Sequence, residues 1–357
     1  MVIPRRGVSP DVGIPINTPE IWRGLPRQCA HWLAMTRNFG SLLRRFKQNA
    51  KLQFENLTDN MMKEKTIYAL GFFDGVHLGP AALLEACREL AAQHGTWAGA
   101  VTFSDHPDTL VLGKTPGLIN SASDREQLLK ERFFMDRVVT LPFDERTRSM
   151  HWKDFLNMLQ RDYGATGFVC GQDFRFGARG TGNARILEKF CEEKGFPCAV
   201  IPQMCLEGEV VSSTHIRQLL EAGALEQANR FLGHPHILSG TVVPGKQLGR
   251  TIGIPTANLH LPPELLVPRF GVYACRVRIG EKLYSAVTNI GTRPTVSGGG
   301  VTVEPWILDF SGDLYGQEIT LEFHKFLRPE MKFPSLDALQ AEICKNAEET
   351  REFFKNS

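Results

Sequence analysis

The chain of 357 residues is long enough for two domains with separate cores, and 42% of its residues are hydrophobic and 22% charged, as in soluble globular proteins. Its formal net charge is only +2, which argues against a general nucleic-acid or membrane-surface binder, because such proteins carry a strong basic excess. No apolar run approaches the ~20 residues that span a bilayer, and the first residues lack the apolar core of a signal peptide, so we expect a cytoplasmic protein.

Residues 1–60 differ in composition from the rest of the chain. Several prolines interrupt their first part, and a basic patch, LLRRFKQNAK, follows. This composition predicts a mostly disordered or loosely helical extension ahead of the first domain.

Short buried strands alternate with amphipathic helices from Thr66 onward. Strands are predicted at 66–70, 98–103, 137–141, 167–170 and 198–201, and helices at 81–94, 125–132, 152–163 and 184–194. Such alternation predicts parallel βαβ units in a doubly wound α/β sheet. Ligands of these sheets bind at the carboxyl ends of the strands.

The turn between the first strand and the first helix has the sequence GFFDGVHLGP, residues 71–80. A helix N-terminus exposes unpaired N–H groups, which bind phosphate readily. His77 lies on this turn and can donate a hydrogen bond to a phosphate oxygen as charge develops. A turn histidine without a chemical role is the alternative interpretation.

Three further motifs lie at loops or helix starts of the same predicted domain. VSSTHIR, residues 211–217, opens a helix with three hydroxyls, Ser212, Ser213 and Thr214, and places Arg217 one turn in. This arrangement predicts a second anion site, with a helix cap that binds no ligand as the alternative. VCGQDFRFG, residues 169–177, presents charged side chains on a glycine-flanked loop, and TFSDHP gives one more loop at a strand end.

After about residue 233 the pattern changes to short apolar runs separated by turn residues. These runs, at 238–243, 271–277, 285–290, 303–310 and 319–326, predict a small antiparallel β-barrel. A final helix is predicted from Leu336 to Phe354, with Ser335 as its N-cap. The domain boundary is therefore expected near 234–236.

The run GKQLGRTIGIPTAN, residues 245–258, lies inside this second region. Its glycines allow close backbone approach to a ligand, Lys246 and Arg250 add positive charge, and Thr256 and Asn258 offer oxygens suited to Mg²⁺ or phosphate. It is not a P-loop, because no Gly-Lys-Ser/Thr closes it. An ordinary glycine-rich hairpin is the alternative.

Together the motifs identify a family resemblance that extends from about residue 66 to the end. GFFDGVHLG, TFSDHP, CGQDFRFG and VSSTHIR resemble the adenylyltransferase module of bacterial bifunctional riboflavin kinase/FAD synthetases, which belong to the nucleotidyltransferase superfamily. GKQLGRTIGIPTAN, FGVYA, VTNIGTRPT, VEPWILDFSGDLYG and FLRPEMKF resemble the riboflavin kinase module, in the order of the family.

The resemblance implies an FMN adenylyltransferase domain at 61–233 and a riboflavin kinase domain at 237–357, with ATP, riboflavin and FMN as substrates in a monomer or weak homo-oligomer. It implies catalytic roles for Glu304, His77 and Arg217, although a carboxylate exposed on a strand is the alternative for Glu304. The implied ATP- and phosphate-binding residues are Gly71, Phe73, Gly79, Ser212, Ser213, Thr214, Gly245, Lys246, Gly249, Arg250, Gly253 and Thr256. Flavin binding is implied for Asp173, Arg175, Asn289 and Arg328, and Mg²⁺ binding for Thr256 and Asn258.

One position departs from the family pattern, which has a second histidine where this chain has Pro80. We place Pro80 at the first helical position, where proline is tolerated because the N–H that it lacks would be unpaired. The fold should therefore be kept, but an imidazole that binds ATP phosphates in the family is absent. One such donor contributes about 3 kcal/mol, or about two orders of magnitude in rate. We therefore expect a retained but weakened adenylyltransferase, with His215 as a partial substitute. A riboflavin kinase alone, and a non-catalytic flavin- or nucleotide-binding regulator, are the alternatives.

Overall fold

The computed structural model describes residues 65–113, 116–245, 249, 253–280, 282–292 and 300–356, with the side chains of 110–112 excepted. The extension predicted for residues 1–60 lies outside the described residues.

A parallel β-sheet forms the centre of the first half of the chain. Within the described residues its strand order is β3-β2-β1-β4-β7. These strands are β1 Thr66–Leu70, β2 Trp97–Phe103, β3 Arg137–Leu141, β4 Ala165–Gly171 and β7 Cys198–Ile201. All five residues of the central strand β1 are buried, as expected where helices cover both faces of a parallel sheet. The predicted doubly wound architecture is confirmed.

Helices of very different length connect these strands. They are α1 Leu78–His94, α2 Pro107–Leu112, α3 Ala122–Gln127, α4 Glu145–Ser149, α5 Trp152–Tyr163, α6 Ala184–Lys194, α7 Ser213–Ala222 and α8 Leu225–Leu232. A π-helical segment, Leu128–Arg132, follows α3. Two short hairpins pair β5 Arg175–Phe176 with β6 Gly182–Asn183, and β8 Cys205–Leu206 with β9 Glu209–Val210.

Helix α1 begins three residues earlier than its apolar periodicity predicts. His77 is its N-cap, so Pro80 occupies the third helical position rather than the first. Proline is tolerated there because the first four N–H groups of a helix have no partner within the helix. Gly95 ends the helix in the left-handed conformation (φ 61°), as predicted from the sequence.

The second half of the described chain is a closed antiparallel barrel followed by a helix. The strands are β10 His236–Val243, β11 Asn258–His260, β12 Gly271–Ile279, β13 Lys282–Thr292, β14 Val301–Ile307 and β15 Glu318–Arg328, in the order β10-β11-β14-β13-β12-β15. Alternate side chains such as Tyr273, Cys275 and Val277 fill its interior. Helix α9, Leu336–Lys355, packs on the outside, and its predicted N-cap Ser335 accepts a hydrogen bond from the Ala338 N–H (3.2 Å).

The sheet region and the barrel share hydrophobic packing. One cluster of buried residues joins Leu220 of α7 and Phe231 of α8 to Leu238 and Phe323 of the barrel. This shared cluster differs from the two separate cores that were expected from the length of the chain. The reason is that the apolar face of α8 has the barrel, rather than the sheet, as its neighbour.

Backbone hydrogen bonds reinforce the same junction. The Leu118 N–H donates to the carbonyl of Glu264 (2.8 Å), and the Leu266 N–H donates to the carbonyl of Leu118 (2.8 Å). The Arg269 N–H donates to the carbonyl of Leu220 in α7 (3.0 Å). The segment between β11 and β12 is therefore attached both to the loop before α3 and to α7.

A buried histidine at the start of the barrel predicts a pH-dependent stability. The His236 side chain is fully buried, and neither ring nitrogen has a hydrogen-bond partner among the described residues. Burial, together with the neighbouring His234, lowers the pKa of His236 to about 3. Between about pH 6.5 and pH 3 the unfolded chain therefore binds a proton that the folded chain does not, and stability falls as the pH falls.

We expect acidification from pH 6.5 to 5 to remove about 2 kcal/mol of unfolding free energy through this group. The unfolding free energy of the variant His236→Leu should fall by about 2 kcal/mol less than that of the wild type over this range. Urea denaturation at both pH values measures the difference. His94→Leu, at an exposed position, is the matched control. Equal pH dependence of wild type and His236→Leu would contradict this assignment.

Candidate active sites

A cleft of about 640 Å³ opens between the turn after β1 and the first turn of α7. Four of the residues singled out in the sequence, His77, Ser213, Thr214 and Arg217, line it together with Phe73. These residues come from motifs more than 130 positions apart, so the fold brings the two predicted anion sites into one cavity.

The turn after β1 has an unusual backbone that directs its side chains into this cleft. Asp74–Val76 forms a single 3₁₀ turn, flanked by Phe73 with φ 59°. Val76 also has a positive φ, 38°, in a region that non-glycine residues rarely adopt. Non-glycine residues keep such conformations only where surrounding contacts impose them, which is common at functional sites.

Asp74 is the principal polar contact of this turn, and its side chain is almost completely buried. One carboxylate oxygen accepts a hydrogen bond from the Arg217 guanidinium at 2.6 Å. The other accepts the backbone N–H groups of Ile119 (3.0 Å) and Asn120 (3.3 Å). The Ser213 hydroxyl donates to the carbonyl of Asp74 (2.9 Å). Burial raises the pKa of Asp74, and Arg217 partly opposes that shift.

Sequence analysis missed Asp74, although it lies inside the quoted motif GFFDGVHLG. The sequence did offer a signal. This turn was predicted to bind anions, and an unpaired carboxylate on it would oppose their binding. Its burial against Arg217 resolves this conflict. Arg217 also donates through Nε to the carbonyl of Gly117 (2.7 Å), so its position is fixed from two sides.

His77 has a defined protonation state in this cleft. Its Nδ1 accepts a hydrogen bond from the N–H of Gly79 (3.3 Å), so the neutral ring carries its proton on Nε2. Burial, with smaller contributions from His234 and Arg217, lowers the pKa of His77 to about 4. The ring is therefore a neutral hydrogen-bond donor at neutral pH.

Two of the sequence-derived candidates do not line this cleft. The Ser212 hydroxyl accepts the N–H of His215 (3.2 Å) and caps α7, as the ligand-free alternative suggested. The His215 ring lies with Nε2 3.0 Å from a Glu209 carboxylate oxygen and packs on Phe231. His215 is not among the residues that line this cleft with Pro80, and its ring contacts Glu209 and Phe231 instead.

A second cleft, of about 240 Å³, lies at the carboxyl ends of β1, β4 and β7, where the parallel sheet predicts ligand binding. Gly71, Gly79 and Asp173 line it. Phe73 and Pro80 line both this cleft and the larger one, so they form a common wall. Arg175 lies beyond Asp173, on an adjoining surface depression next to the start of α6.

A different set of candidates meets on the outer face of the barrel. Glu304 of β14 is paired with Asn289 of β13. Because Leu259 of β11 pairs with Val303, Asn258 stands beside Glu304 on its other side. The interior positions on these strands belong to apolar residues, so this polar row faces outward and Glu304 is half-buried.

Glycines bring the preceding loop close to this row. A Cβ at Gly245 would overlap the Asn258 amide, and one at Gly249 would overlap the carbonyl of Ile254. Gly253 has φ 72°, and Thr256 is exposed. Lys246 and Arg250 lie outside the described residues. Close approach of the backbone thus explains Gly245 and Gly249, and the positive φ explains Gly253.

Arg328, the flavin-side candidate of β15, is held against α9. Its Nε donates to the Asn346 side-chain oxygen (3.0 Å), and its guanidinium lies over the Phe333 ring at 5.4 Å. Burial lowers the pKa of Arg328. Val272 pairs with both Asn289 and Arg328, which places Arg328 in the same row as the other barrel candidates.

The contacts of Asp74 predict a large effect of its removal on stability. Asp74→Asn leaves the Arg217 charge in a buried site without its counter-ion, and such losses cost about 3 kcal/mol or more. Urea denaturation of Asp74→Asn, Arg217→Met and the double variant should therefore be strongly non-additive. Asp162→Asn, which breaks an exposed Arg–Asp pair of the same kind (2.7 Å), should cost far less stability, because solvent screens that pair. Additive single effects would refute a coupled pair.

Comparison with known proteins agrees with the two-part architecture. Residues 59–215 match the FAD synthetase family model, and residues 232–354 match the riboflavin kinase family model. In the described residues, no helix has the length and apolar character needed to cross a membrane. A crystal structure described as a macrolide-efflux protein from Streptococcus pneumoniae shares the fold, with a TM-score of 0.71 and 30% identity over 80% of this chain and 94% of that one.

Curated relatives match nearly the whole of their own length. The bifunctional riboflavin kinase/FMN adenylyltransferase of Listeria monocytogenes serovar 1/2a is 32% identical over 303 residues, which cover 83% of this chain and 95% of the relative. The protein of the same description from Escherichia coli K12 is 37% identical over 295 residues, which cover 82% and 94%. The chain belongs to the bifunctional riboflavin kinase/FMN adenylyltransferase family.

Proposed function

We propose that this chain makes flavin cofactors in two steps. The riboflavin kinase domain, at 237–357, transfers a phosphoryl group from ATP to riboflavin and gives FMN and ADP. The FMN adenylyltransferase domain, at 61–233, transfers an adenylyl group from a second ATP to FMN and gives FAD and pyrophosphate. The observation that carries this proposal is the presence of both family modules, in order, on one chain.

Glu304 is the base that we assign to the kinase step. It accepts the proton of the riboflavin hydroxyl as that oxygen attacks the terminal phosphorus of ATP. Its place between Asn258 and Asn289 supports this role, because it puts the carboxylate in the row that also carries the candidate metal and flavin ligands. Asn289 and Arg328 are proposed to position the flavin on the same row.

The phosphates of this ATP are assigned to the loop that precedes β11. Backbone N–H groups near Gly245, Gly249 and Gly253, together with Lys246 and Arg250, would hold them. The absence of a side chain at Gly245 and Gly249, where a Cβ would overlap the following segment, supports a loop whose backbone is open to a ligand.

Thr256 and Asn258 would hold Mg²⁺ with the nucleotide. Among the described residues, no group of three His, Cys, Asp or Glu side chains could bind a metal by itself. A hydroxyl and an amide oxygen fit Mg²⁺, which is usually bound by one or two protein groups together with substrate phosphates. When bound, the ion neutralises charge on the transferred phosphoryl group.

The adenylyl transfer is assigned to the two clefts beside the parallel sheet. A phosphate oxygen of FMN attacks the α-phosphorus of ATP, and pyrophosphate leaves without a covalent enzyme intermediate. His77 donates its Nε2 proton in a hydrogen bond to a phosphate oxygen, and Arg217 stabilises the charge that develops. Ser213 and Thr214 offer hydroxyls and N–H groups at the start of α7, and Ser212 contributes by capping that helix.

The common wall of the clefts supports a division of substrates between them. ATP is proposed to bind in the larger cleft against Phe73, with its phosphates toward the common wall, where Gly71 and Gly79 of the smaller cleft give access to the backbone. FMN is proposed to bind along the smaller cleft, with Asp173 and Arg175 near the flavin. Pro80 lies between the two substrates, at the position where the family pattern has an imidazole.

The remaining assignments follow from the same proposal. The substrates are ATP, riboflavin and FMN, no nucleic acid is involved, and the protein acts in the cytoplasm as a monomer or weak homo-oligomer. A kinase whose adenylyltransferase domain only binds nucleotide is the second candidate, and Pro80 is the observation that favours it.

One chromatographic experiment tests both steps. Riboflavin incubated with Mg-ATP and the purified protein should yield FMN and then FAD. Glu304→Gln should lower FMN formation about 10²- to 10⁴-fold, because a general base is lost, and should still convert supplied FMN to FAD. Glu318→Gln, at an exposed carboxylate of the same barrel, is the control that should leave both steps unchanged. FMN formation by Glu304→Gln at the wild-type rate would exclude the assigned base.

Pro80→His tests the departure from the family pattern. A histidine fits the third helical position, and its imidazole would reach the common wall of both clefts. We expect FAD formation from FMN and ATP to rise at least about tenfold. Pro80→Ala removes the proline without adding a donor and should not reproduce the gain. Equal, measurable rates for wild type, Pro80→Ala and Pro80→His would contradict this account of position 80, whereas no FAD formation by any of the three would favour the kinase-only candidate.

A further inference from the structure

A buried histidine bridges the turn after β1 and the segment that leads into the barrel. His234 is only 5% exposed and lies between the end of α8 and the start of β10. Its Nε2 is 2.9 Å from the carbonyl oxygen of Gly75, which is 159 residues away in the chain. Its Nδ1 is 2.8 Å from the carbonyl oxygen of Pro235. The sequence pattern gave this region no role beyond that of a domain boundary.

Side chains from three other parts of the fold contact carbonyl groups of the turn after β1. These contacts are Thr102 on Phe72 (2.7 Å), Ser213 on Asp74 (2.9 Å) and His234 on Gly75 (2.9 Å). Phe73, Gly75 and Val76 all have positive φ, at 59°, 80° and 38°. Such a backbone persists only where surrounding contacts impose it, so these side chains maintain the shape of the turn.

Gly75 also lies close to the end of α8. A Cβ at this position would come within 3.1 Å of the Ile119 side chain and 3.2 Å of the Leu232 side chain. Leu232 is the last residue of α8, two positions before His234. The end of α8 and the residues after it therefore support the turn in two ways, through an apolar side chain and through the His234 ring.

Backbone contacts fix the position of His234 itself. The Gly233 N–H donates to the carbonyl of Asn229 (2.8 Å), and the Arg132 guanidinium donates to the carbonyl of Gly233 (2.7 Å). On the other side, the His236 N–H donates to the side-chain oxygen of Asn229 (2.8 Å). A ring whose chain neighbours are held on both sides loses little freedom when it bonds to the turn, as precise positioning requires.

The neutral ring can hold only one of its two carbonyl contacts as a hydrogen bond. A carbonyl only accepts, and a neutral imidazole carries one N–H. Burial lowers the pKa of His234, although both carbonyls oppose that shift, so the ring is neutral at neutral pH. The contact with Gly75 is buried, whereas solvent competes at the partly buried contact with Pro235. An unpaired buried carbonyl is unfavourable, which places the proton on Nε2, facing Gly75.

We propose that the Nε2–H of His234 donates to the carbonyl of Gly75 and thereby positions the turn that carries Asp74 and His77 for adenylyl transfer. This inference rests on the proposed adenylyltransferase function. His234 does not line the larger cleft and acts through the turn, since His77 follows Gly75 by two residues and caps α1. A displacement of about 1 Å at such a group can lower a rate about 100-fold.

This role would make the first site depend on the second family module. His234 lies beyond the FAD synthetase match, which ends at residue 215, and within the riboflavin kinase match, which begins at residue 232. A residue of the kinase module would then maintain a turn of the adenylyltransferase site. Riboflavin phosphorylation serves as the internal reference for any variant, because the candidates for that step lie elsewhere, on the outer face of the barrel.

Two amide variants separate the proposed hydrogen bond from a space-filling role. Glutamine can place a side-chain N–H where Nε2 lies, whereas the shorter asparagine reaches only the position of Nδ1. His234→Asn should lower kcat for FAD formation from FMN and ATP about 10- to 100-fold, whereas His234→Gln should remain within about threefold of the wild type. Riboflavin phosphorylation by both variants should be unchanged.

A third variant and a matched control complete the experiment. His234→Leu removes both ring nitrogens and should lose FAD formation as His234→Asn does. His236→Leu also replaces a buried imidazole, one whose ring has no hydrogen-bond partner among the described residues. At neutral pH it should leave both activities unchanged.

The outcomes distinguish this inference from the function on which it rests. FAD formation by a folded His234→Asn variant within about twofold of the His234→Gln rate would overturn it, because the two variants differ in the Gly75 hydrogen bond. If loss of both activities shows that His234→Asn does not fold, His234→Leu decides in its place, and the same loss there would reduce His234 to a structural residue. Wild-type protein that forms FMN but no FAD would refute the adenylyltransferase itself, and this inference with it.

Discussion

The buried ion pair between Asp74 and Arg217 determines the shape of the cleft beside the parallel sheet. A carboxylate out of water is unfavourable unless it is paired and hydrogen-bonded. Asp74 meets this requirement with a guanidinium and two backbone N–H groups, which come from α7 and from the loop before α3. Three distant segments must therefore be in place together, and the cavity that they enclose exists only in the assembled fold.

The same pair links the cleft to the barrel. The loop that supplies N–H groups to Asp74 and a carbonyl to Arg217 is itself hydrogen-bonded, through Leu118, to the segment between β11 and β12. That segment follows Asn258, one of the candidates of the kinase site. Hydrogen bonds and short stretches of chain thus connect the supports of the two sites, and Leu118 and Leu265 of this connection also belong to the shared hydrophobic cluster.

The sequence predicted the elements that have a clear period and strong end signals. The strands at 66–70 and 137–141 and the helices at 152–163 and 184–194 have the predicted bounds. Short elements were missed. Strand β11 has three residues and helix α4 has five, which is too few for a periodic pattern of apolar residues to be visible. Helix α8 has buried residues at helical spacing, so its sequence pattern could have predicted it. It was missed because only two residues separate it from α7.

The candidate site was predictable only in part, for a reason of distance along the chain. The local motifs identified His77 and Arg217 because each lies at a helix start. Asp74 is 143 residues from Arg217, and its role depends on that contact. The position of Pro80 similarly depends on how early His77 caps α1. Periodicity does not encode such pairings.

The apolar face of α8 has a consequence for any exchange of one half of this chain. Phe231 and Leu232 lie at the seam between the two family modules and are buried in a cluster with residues of both halves. A chimaera that joined this first module to a foreign barrel would set these two side chains against a surface of different shape, and would lose the apolar contacts that both halves now share.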